Sequence, residues 1–268
     1  MAGTPPEGLL WHYTDAAGFF GITNEQRLYA THIDLLNDRT EGVHAATLIR
    51  QLLLGVLEAH PDGGFSDVKD QIEGLDGRRS EAFVFSLSSK ADRLDSWRVY
   101  ANGGRGYALG FSAGGLAKIT RARLAECTYV NPVTTGALSS ITLHPAAAFV
   151  VTHGMTRGGD RSRSQEEFRS KLNDFLHHFS PILKHEAFHE EAEHRLVLGD
   201  GADSELRVSG SGRLVPFLPV EFDPAALRAV NLGAGMDDAD ERAARRQLDG
   251  NQMSHVELHR STVPIRAV

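Results

Sequence analysis

At 268 residues, with 41% hydrophobic and 24% charged residues, the chain has a globular composition and the length for one large domain or two small ones. Its 28 Lys+Arg against 35 Asp+Glu leave a formal charge of −7, which excludes a protein that coats nucleic acid or an anionic membrane through overall charge. The single Cys127 excludes an internal disulfide; with no basic-then-apolar leader and no apolar run of membrane-spanning length, the expectation is a soluble, cytoplasmic protein without a membrane partner.

The bulky run Leu9-Leu10-Trp11-His12-Tyr13-Thr14 predicts a first strand, with His12 near its end. Thr14 or Asp15 then caps a helix over 16–23 whose buried side is Phe19, Phe20 and Ile22. Residues 27–31 predict a second strand, 37–42 a polar turn, and the leucine spacing over 43–60 an amphipathic helix. The Gly- and Asp-rich stretch 61–80 predicts an insertion or loop with one helical turn.

A strand over 81–88 precedes a short helix over 92–102 carrying Leu94, Trp97, Val99 and Tyr100, which the glycines from Gly103 to Gly106 break. Residues 107–112 predict a strand in which Gly110 marks a bulge or a close backbone approach, and 121–133 another centred on Cys127. The segment 154–164, with Arg157, Arg161 and Arg163, predicts a mobile basic loop. A helix follows over 165–183, then strands over 195–199, 213–220 and 227–233 and a charged helix over 237–249, with 254–268 ending the chain. Strands and helices interleave without a strict βαβ rhythm, so the fold class expected is α+β, with mixed, largely antiparallel sheets flanked by helices in a single domain over 1–268.

The chemistry concentrates in Lys184-His185-Glu186-Ala187-Phe188-His189-Glu190-Glu191-Ala192-Glu193-His194-Arg195, and two readings compete for it. His185-Glu186-x-x-His189 spells a helical zinc motif, in which both imidazoles would face one metal while Glu186 activates its water. A third ligand is wanting, because the pattern that would supply it asks for histidine at Arg195 and finds His194 one residue out of step. The second reading takes 191–197 as extended, which puts Glu191, Glu193 and Arg195 on one face. Two carboxylates there suit a reaction through an oxocarbenium-like cation, one stabilising it and the other orienting the nucleophile. A salt-bridged strand edge with Arg195 is the plain structural alternative.

The ordered blocks His12-Tyr13-Thr14, Leu36-Asn37-Asp38-x-x-Glu41-Gly42, Phe85-Ser86, Asp95-Ser96-Trp97-x-x-Tyr100, Gly106-x-x-x-Gly110-Phe111 and Lys184-x-x-x-Phe188-x-x-Glu191-x-Glu193-x-Arg195 together resemble a bacterial and phage family of uncharacterised function. That family is in turn similar to the ADP-ribosyltransferase superfamily. The resemblance implies an ADP-ribosyltransferase-like fold and an enzyme that consumes NAD, as a transferase or NAD glycohydrolase, acting as a toxin or phage-defence effector on a nucleic acid or protein acceptor. A toxin would also bring an antitoxin partner. Carried onto this chain, Glu193 would be the catalytic glutamate assisted by Glu191, and His12 would hold a ribose. Tyr13 or Tyr100 would stack on nicotinamide, with Thr14 beside Tyr13, and Ser96 and Arg105 would contact the pyrophosphate. Trp97 would face either ligand or core. A zinc hydrolase through His185 and His189, and a non-catalytic module binding a nucleotide or partner, are the rival expectations.

Overall fold

The computed structural model describes residues 6–36, 41–59, 66–75, 81–130, 161–199, 201, 203–208 and 212–264. It is α+β with a largely antiparallel sheet, as expected. By contacts the chain divides into two compact units, the first made of 1–32, 83–126 and 190–268 and the second of 33–82 and 127–189.

The first unit carries a ten-stranded sheet. Its strands are β1 (Leu9–Thr14), β2 (Arg27–His32), β3 (Phe83–Ser88), β4 (Tyr107–Ser112), β5 (Ala122–Glu126), β8 (Glu193–Leu198), β9 (Glu205–Val208), β10 (Leu214–Glu221), β11 (Leu227–Leu232) and β12 (Glu257–Arg260). The main path runs β12-β11-β4-β1-β3-β2-β10-β9, and β8 pairs with both β3 and β5. All pairs are antiparallel except β11 with β12.

β3 is the branch point. All six of its residues pair with β8 along one edge, so β1 and β2 must share the other, where Phe83 and Val84 meet β2 and Ser88 meets Trp11 of β1. Between those two contacts the ladder opens into a fork, and the carbonyl of Ser86 is met there by Nδ1 of His12 at 2.9 Å.

Alternation sorts the side chains of the branch onto two faces. Leu10, Phe85, Leu87, Leu109, Phe111 and Leu196 face one way and join the main core with Phe19 and Ile22. That helix, α1 (Ala16–Glu25), is capped by Asp15, whose carboxylate accepts from the Gly18 N–H at 2.8 Å, as predicted. Trp11 and Tyr13 face the other way and cluster with Trp97, Ala101, Ala108 and Ala229. Gly110 is the predicted close approach, since a Cβ there would lie 2.8 Å from the Trp11 ring. Trp97 comes from α4 (Leu94–Tyr100); α5 (Ala113–Leu116) is one turn long.

The second unit holds α2 (Glu41–Ala59), α3 (Ser66–Glu73), α6 (Arg161–Phe179) and a two-stranded sheet of β6 (Thr128–Val130) parallel to β7 (Leu183–His185). Its core is Leu48, Ile49 and Leu53 of α2 with Ile72, Leu75, Phe168, Leu172, Leu176 and Leu183. The remaining helix, α7 (Asp238–Gly250), belongs to the first unit and opens with a capping box between Asp237 and Asp240.

Several expectations are corrected. The strand read across Cys127 is two strands, because the chain leaves the ten-stranded sheet after Glu126 and enters the two-stranded one at Thr128. A run of β-prone residues cannot signal that change of sheet. The stretch 61–80 holds the two-turn α3, and β7 and the polar β9 carry no periodic signal strong enough to anticipate them. Residues 161–164, placed in the mobile loop, form the first turn of α6, while 154–160 lie outside the described residues, as do Asn37 and Asp38.

Candidate functional site

The Trp11 and Tyr13 face of the first unit carries a polar cluster built on one corner of the chain. The helical turn Glu186–Glu191 ends there and β8 begins at Glu193, so Glu191 is not part of the strand as the two-residue period supposed. Between them Ala192 adopts φ +45, a left-handed conformation that costs a residue with a Cβ roughly 1–2 kcal/mol. Three hydrogen bonds hold it: Ser88 Oγ donates to the Glu191 carbonyl at 2.7 Å, and the Ser89 N–H and Oγ donate to the Ala192 carbonyl at 3.0 and 3.4 Å.

That corner presents Glu191 and buries Glu193. Glu191 is half-buried, and Tyr100, itself 39% exposed, donates its phenol to Glu191 Oε1 at 3.2 Å. Arg93 lies alongside, donating to Glu190 at 3.2 Å and to Asp95 at 3.3 Å. Glu193 sits one pleat further in, with both oxygens on the guanidinium of Arg195: Nε to Oε1 at 2.7 Å and Nη2 to Oε2 at 3.0 Å. Glu193 is 5% exposed and Arg195 0%, so the pair is a desolvated, two-pronged ion pair across one strand face.

The loop from Ser89 to Arg93 is fixed from several directions. The Tyr13 phenol donates to the Lys90 carbonyl at 2.9 Å and accepts from the Arg93 N–H at 3.2 Å; burial raises its pKa well above the ordinary value, keeping the proton in place. Asn231 donates to the Ala91 carbonyl at 3.1 Å. Asp92 accepts from Trp97 Nε1 and Ser261 Oγ, both at 2.6 Å, and from the Thr262 N–H at 2.9 Å.

The predicted residues therefore divide. Tyr100, Glu191 and Glu193 meet on one face, with Ser96 buried and Trp97 0% exposed beneath them, so the indole and the Tyr13 ring are packed rather than open to a ligand. His12 lies on the opposite face from Glu193: Glu193, Ser88 and Trp11 are register partners on one face, and His12, next to Trp11, points the other way. Its ring stacks on Phe85 with centroids 4.1 Å apart. Burial, with a smaller contribution from the charge on Arg207, lowers its pKa to about 4, so the ring is neutral at pH 7. Thr14 ends β1 on the His12 face, and Arg105 is exposed in the turn before β4, where its charge is felt by Asp237. Arg93, Asp92 and Ser88 were missed by the sequence reading; the Asp92-to-Trp97 spacing was the one signal available.

The zinc spacing is not realised on a single helix. His185 closes β7 and His189 lies in the 3-10 turn after it, whereas the motif needs both on consecutive turns of one α-helix. Nδ1 of His185 accepts from the Ala187 N–H at 3.1 Å. Among the described residues no group of three His, Cys, Asp or Glu is arranged to hold a metal ion, and no helix there is long and apolar enough to cross a membrane.

No curated protein and no solved structure matches the chain. Over residues 96–196, the segment that carries Tyr100, Glu191, Glu193 and Arg195, the chain is similar to a family described as a protein of unknown function (DUF2971).

Proposed function

We propose that the chain is an NAD-consuming enzyme of the ADP-ribosyltransferase kind, an NAD glycohydrolase or a transferase, in which Glu191 rather than Glu193 is the reacting carboxylate. The observation that supports it is the corner itself: a carboxylate held by Tyr100 at 3.2 Å and aimed outward by a strained, triply hydrogen-bonded turn. Breaking the bond between nicotinamide and ribose C1′ leaves positive charge on the ribose as neutral nicotinamide departs, and a fixed carboxylate beside that carbon stabilises it before water or an acceptor attacks. The exposed Tyr100 ring offers a face for nicotinamide, and Arg93, which reaches Glu190 beside the corner, is the cation assigned to the pyrophosphate. Glu193, with both oxygens taken by Arg195, positions the start of β8. His12, on the other face, serves the fork.

The test is nicotinamide release from NAD by the purified chain, alone and with cell lysate, for wild type, Glu191→Gln and Tyr100→Ala. The expected result is turnover that Glu191→Gln lowers at least 100-fold and Tyr100→Ala lowers mainly through KM, with circular dichroism unchanged, the usual scale for losing a positioned catalytic group. Turnover that survives Glu191→Gln would overturn the assignment. The closed Glu193–Arg195 pair supports a second reading, a module that binds a nucleotide without consuming it; saturable NAD binding with no product would select it.

A further inference from the structure

We propose that the fork in the sheet of the first unit binds a phosphate monoester, with its charge on the Arg207 guanidinium and its O–H donated to Nε2 of His12. Arg207 leaves β9 and reaches inward across β10. Its guanidinium lies over the rings of Tyr29 and Phe217, 5.5 and 5.8 Å from their centroids, and Nη2 donates to Thr31 Oγ1 at 3.1 Å. These contacts fix the plane of a half-buried cation, and none of them brings a negative charge. Among the described residues no carboxylate forms an ion pair with it. The charge on Asp15 reaches it, but that carboxylate is engaged in capping α1 through the Gly18 N–H at 2.8 Å. A guanidinium held flat without a counter-ion is preorganised for an incoming anion.

His12 makes the opposite demand. The Ser86 carbonyl can only accept, so the hydrogen bond at 2.9 Å assigns the imidazole hydrogen to Nδ1 and leaves Nε2 with its lone pair. Stacking on Phe85 at 4.1 Å fixes the ring, and among the described residues Nε2 has no partner. Both groups are anchored where the ladder opens. His12 is tied to Ser86 and Arg207 to Thr31, whose register partner Val84 lies two residues from Ser86, a spacing of about 7 Å along β3. They approach the fork from opposite faces of the sheet, and the charge on Arg207 is felt at His12. A carboxylate or sulfate would satisfy Arg207 but has no hydrogen to donate to Nε2, while an alcohol would satisfy His12 and leave the cation bare. A phosphate monoester does both: its second pKa is about 6, so the monoanion carries charge and one O–H together. That proton is shared between the phosphate oxygen and Nε2, and no bond to phosphorus changes.

The test is a titration of the full chain at pH 6, followed by NMR of the imidazole nitrogens; the His12 signal is the one missing from His12→Gln. Inorganic phosphate should move Nε2 saturably from the bare toward the protonated range. Sulfate and dimethyl phosphate, which hold no acidic hydrogen at that pH, should leave it in place. Arg207→Gln should weaken the response by about tenfold or more, and Arg207→Lys, which keeps the charge but loses the flat fork of donors, by less. A nucleoside monophosphate that binds more tightly than inorganic phosphate would mark an ester as the natural ligand, and equal affinity would mark the free ion; either supports the site. No movement with phosphate overturns the proposal, as does a response that Arg207→Gln leaves intact. An equal response to sulfate overturns the phosphate class. No NAD enters the titration, so its outcome is independent of the proposed function.

Discussion

Two ionisable groups in the branch of the sheet, one half-buried and one buried, have opposite consequences. His12 titrates at 6.5 in an unfolded chain and at about 4 when folded, because burial disfavours its charged form. Between those values the unfolded chain holds more protons, so stability is complete above pH 6.5 and is lost as the pH falls toward 4, by about 3 kcal/mol in all. In His12→Gln, which keeps a donor for the Ser86 carbonyl, urea unfolding between pH 4 and 6.5 should have a flatter pH slope than wild type; parallel slopes would refute the assignment. Glu193 is the reverse case, a charge matched by Arg195 at 2.7 Å. Glu193→Gln leaves the buried guanidinium without its counter-charge and is expected to lower stability by about 3–5 kcal/mol. Glu191→Gln, at a half-buried position, should leave stability within about 1 kcal/mol of wild type while removing activity, so thermal melts of the two variants separate a structural glutamate from a reacting one. The sequence made both glutamates visible. It could not show which was closed by Arg195, because the period-two pattern assumed that the strand began at Glu191, and a left-handed alanine leaves no trace in composition.

That alanine is the element-scale lesson. Strands and helices with an amphipathic period were legible: β1, α1, β4 and α7 fall within a residue or two of their predicted bounds, and the Asp15 cap and the Gly110 approach to Trp11 were readable from residue type. What was illegible is how elements join. The fork on β3, the passage between sheets at Cys127 and the corner at Ala192 depend on hydrogen bonds from distant residues, such as the donation from Ser88 to the Glu191 carbonyl at 2.7 Å. If the Ala192 conformation stores strain, Ala192→Gly should raise stability by up to about 1 kcal/mol, the relief of the Cβ clash less the added freedom of glycine in the unfolded chain. A neutral or negative change in the denaturation midpoint would mean that the three serine-side hydrogen bonds already hold the corner without cost.

At the scale of the molecule, one carboxylate ties the end of the chain to the middle. Asp92 gathers Trp97 Nε1 and Ser261 Oγ on one oxygen, both at 2.6 Å, and the Thr262 N–H at 2.9 Å and hydroxyl at 3.2 Å on the other. Ser261 follows directly on β12, and its N–H donates to the Leu232 carbonyl of β11 at 2.8 Å, so the path from the sheet to α4 runs through Asp92. Since α4 carries Tyr100, this link spans 169 residues to seat one wall of the proposed site. Asn at position 92 keeps one acceptor oxygen and turns an NH2 group toward donors, leaving two hydrogen bonds unmade; the expected loss is about 3 kcal/mol and several degrees of Tm. A general loss of packing would give the same number, so the decisive measurement is a double-mutant cycle. Ser261→Ala should cost about 1 kcal/mol or more in the wild-type background and close to nothing in Asp92→Ala, which removes both oxygens, with quenching of Trp97 fluorescence altered by either change. Additive effects would show that the chain end and α4 are held independently, and would remove Asp92 as the group that joins them.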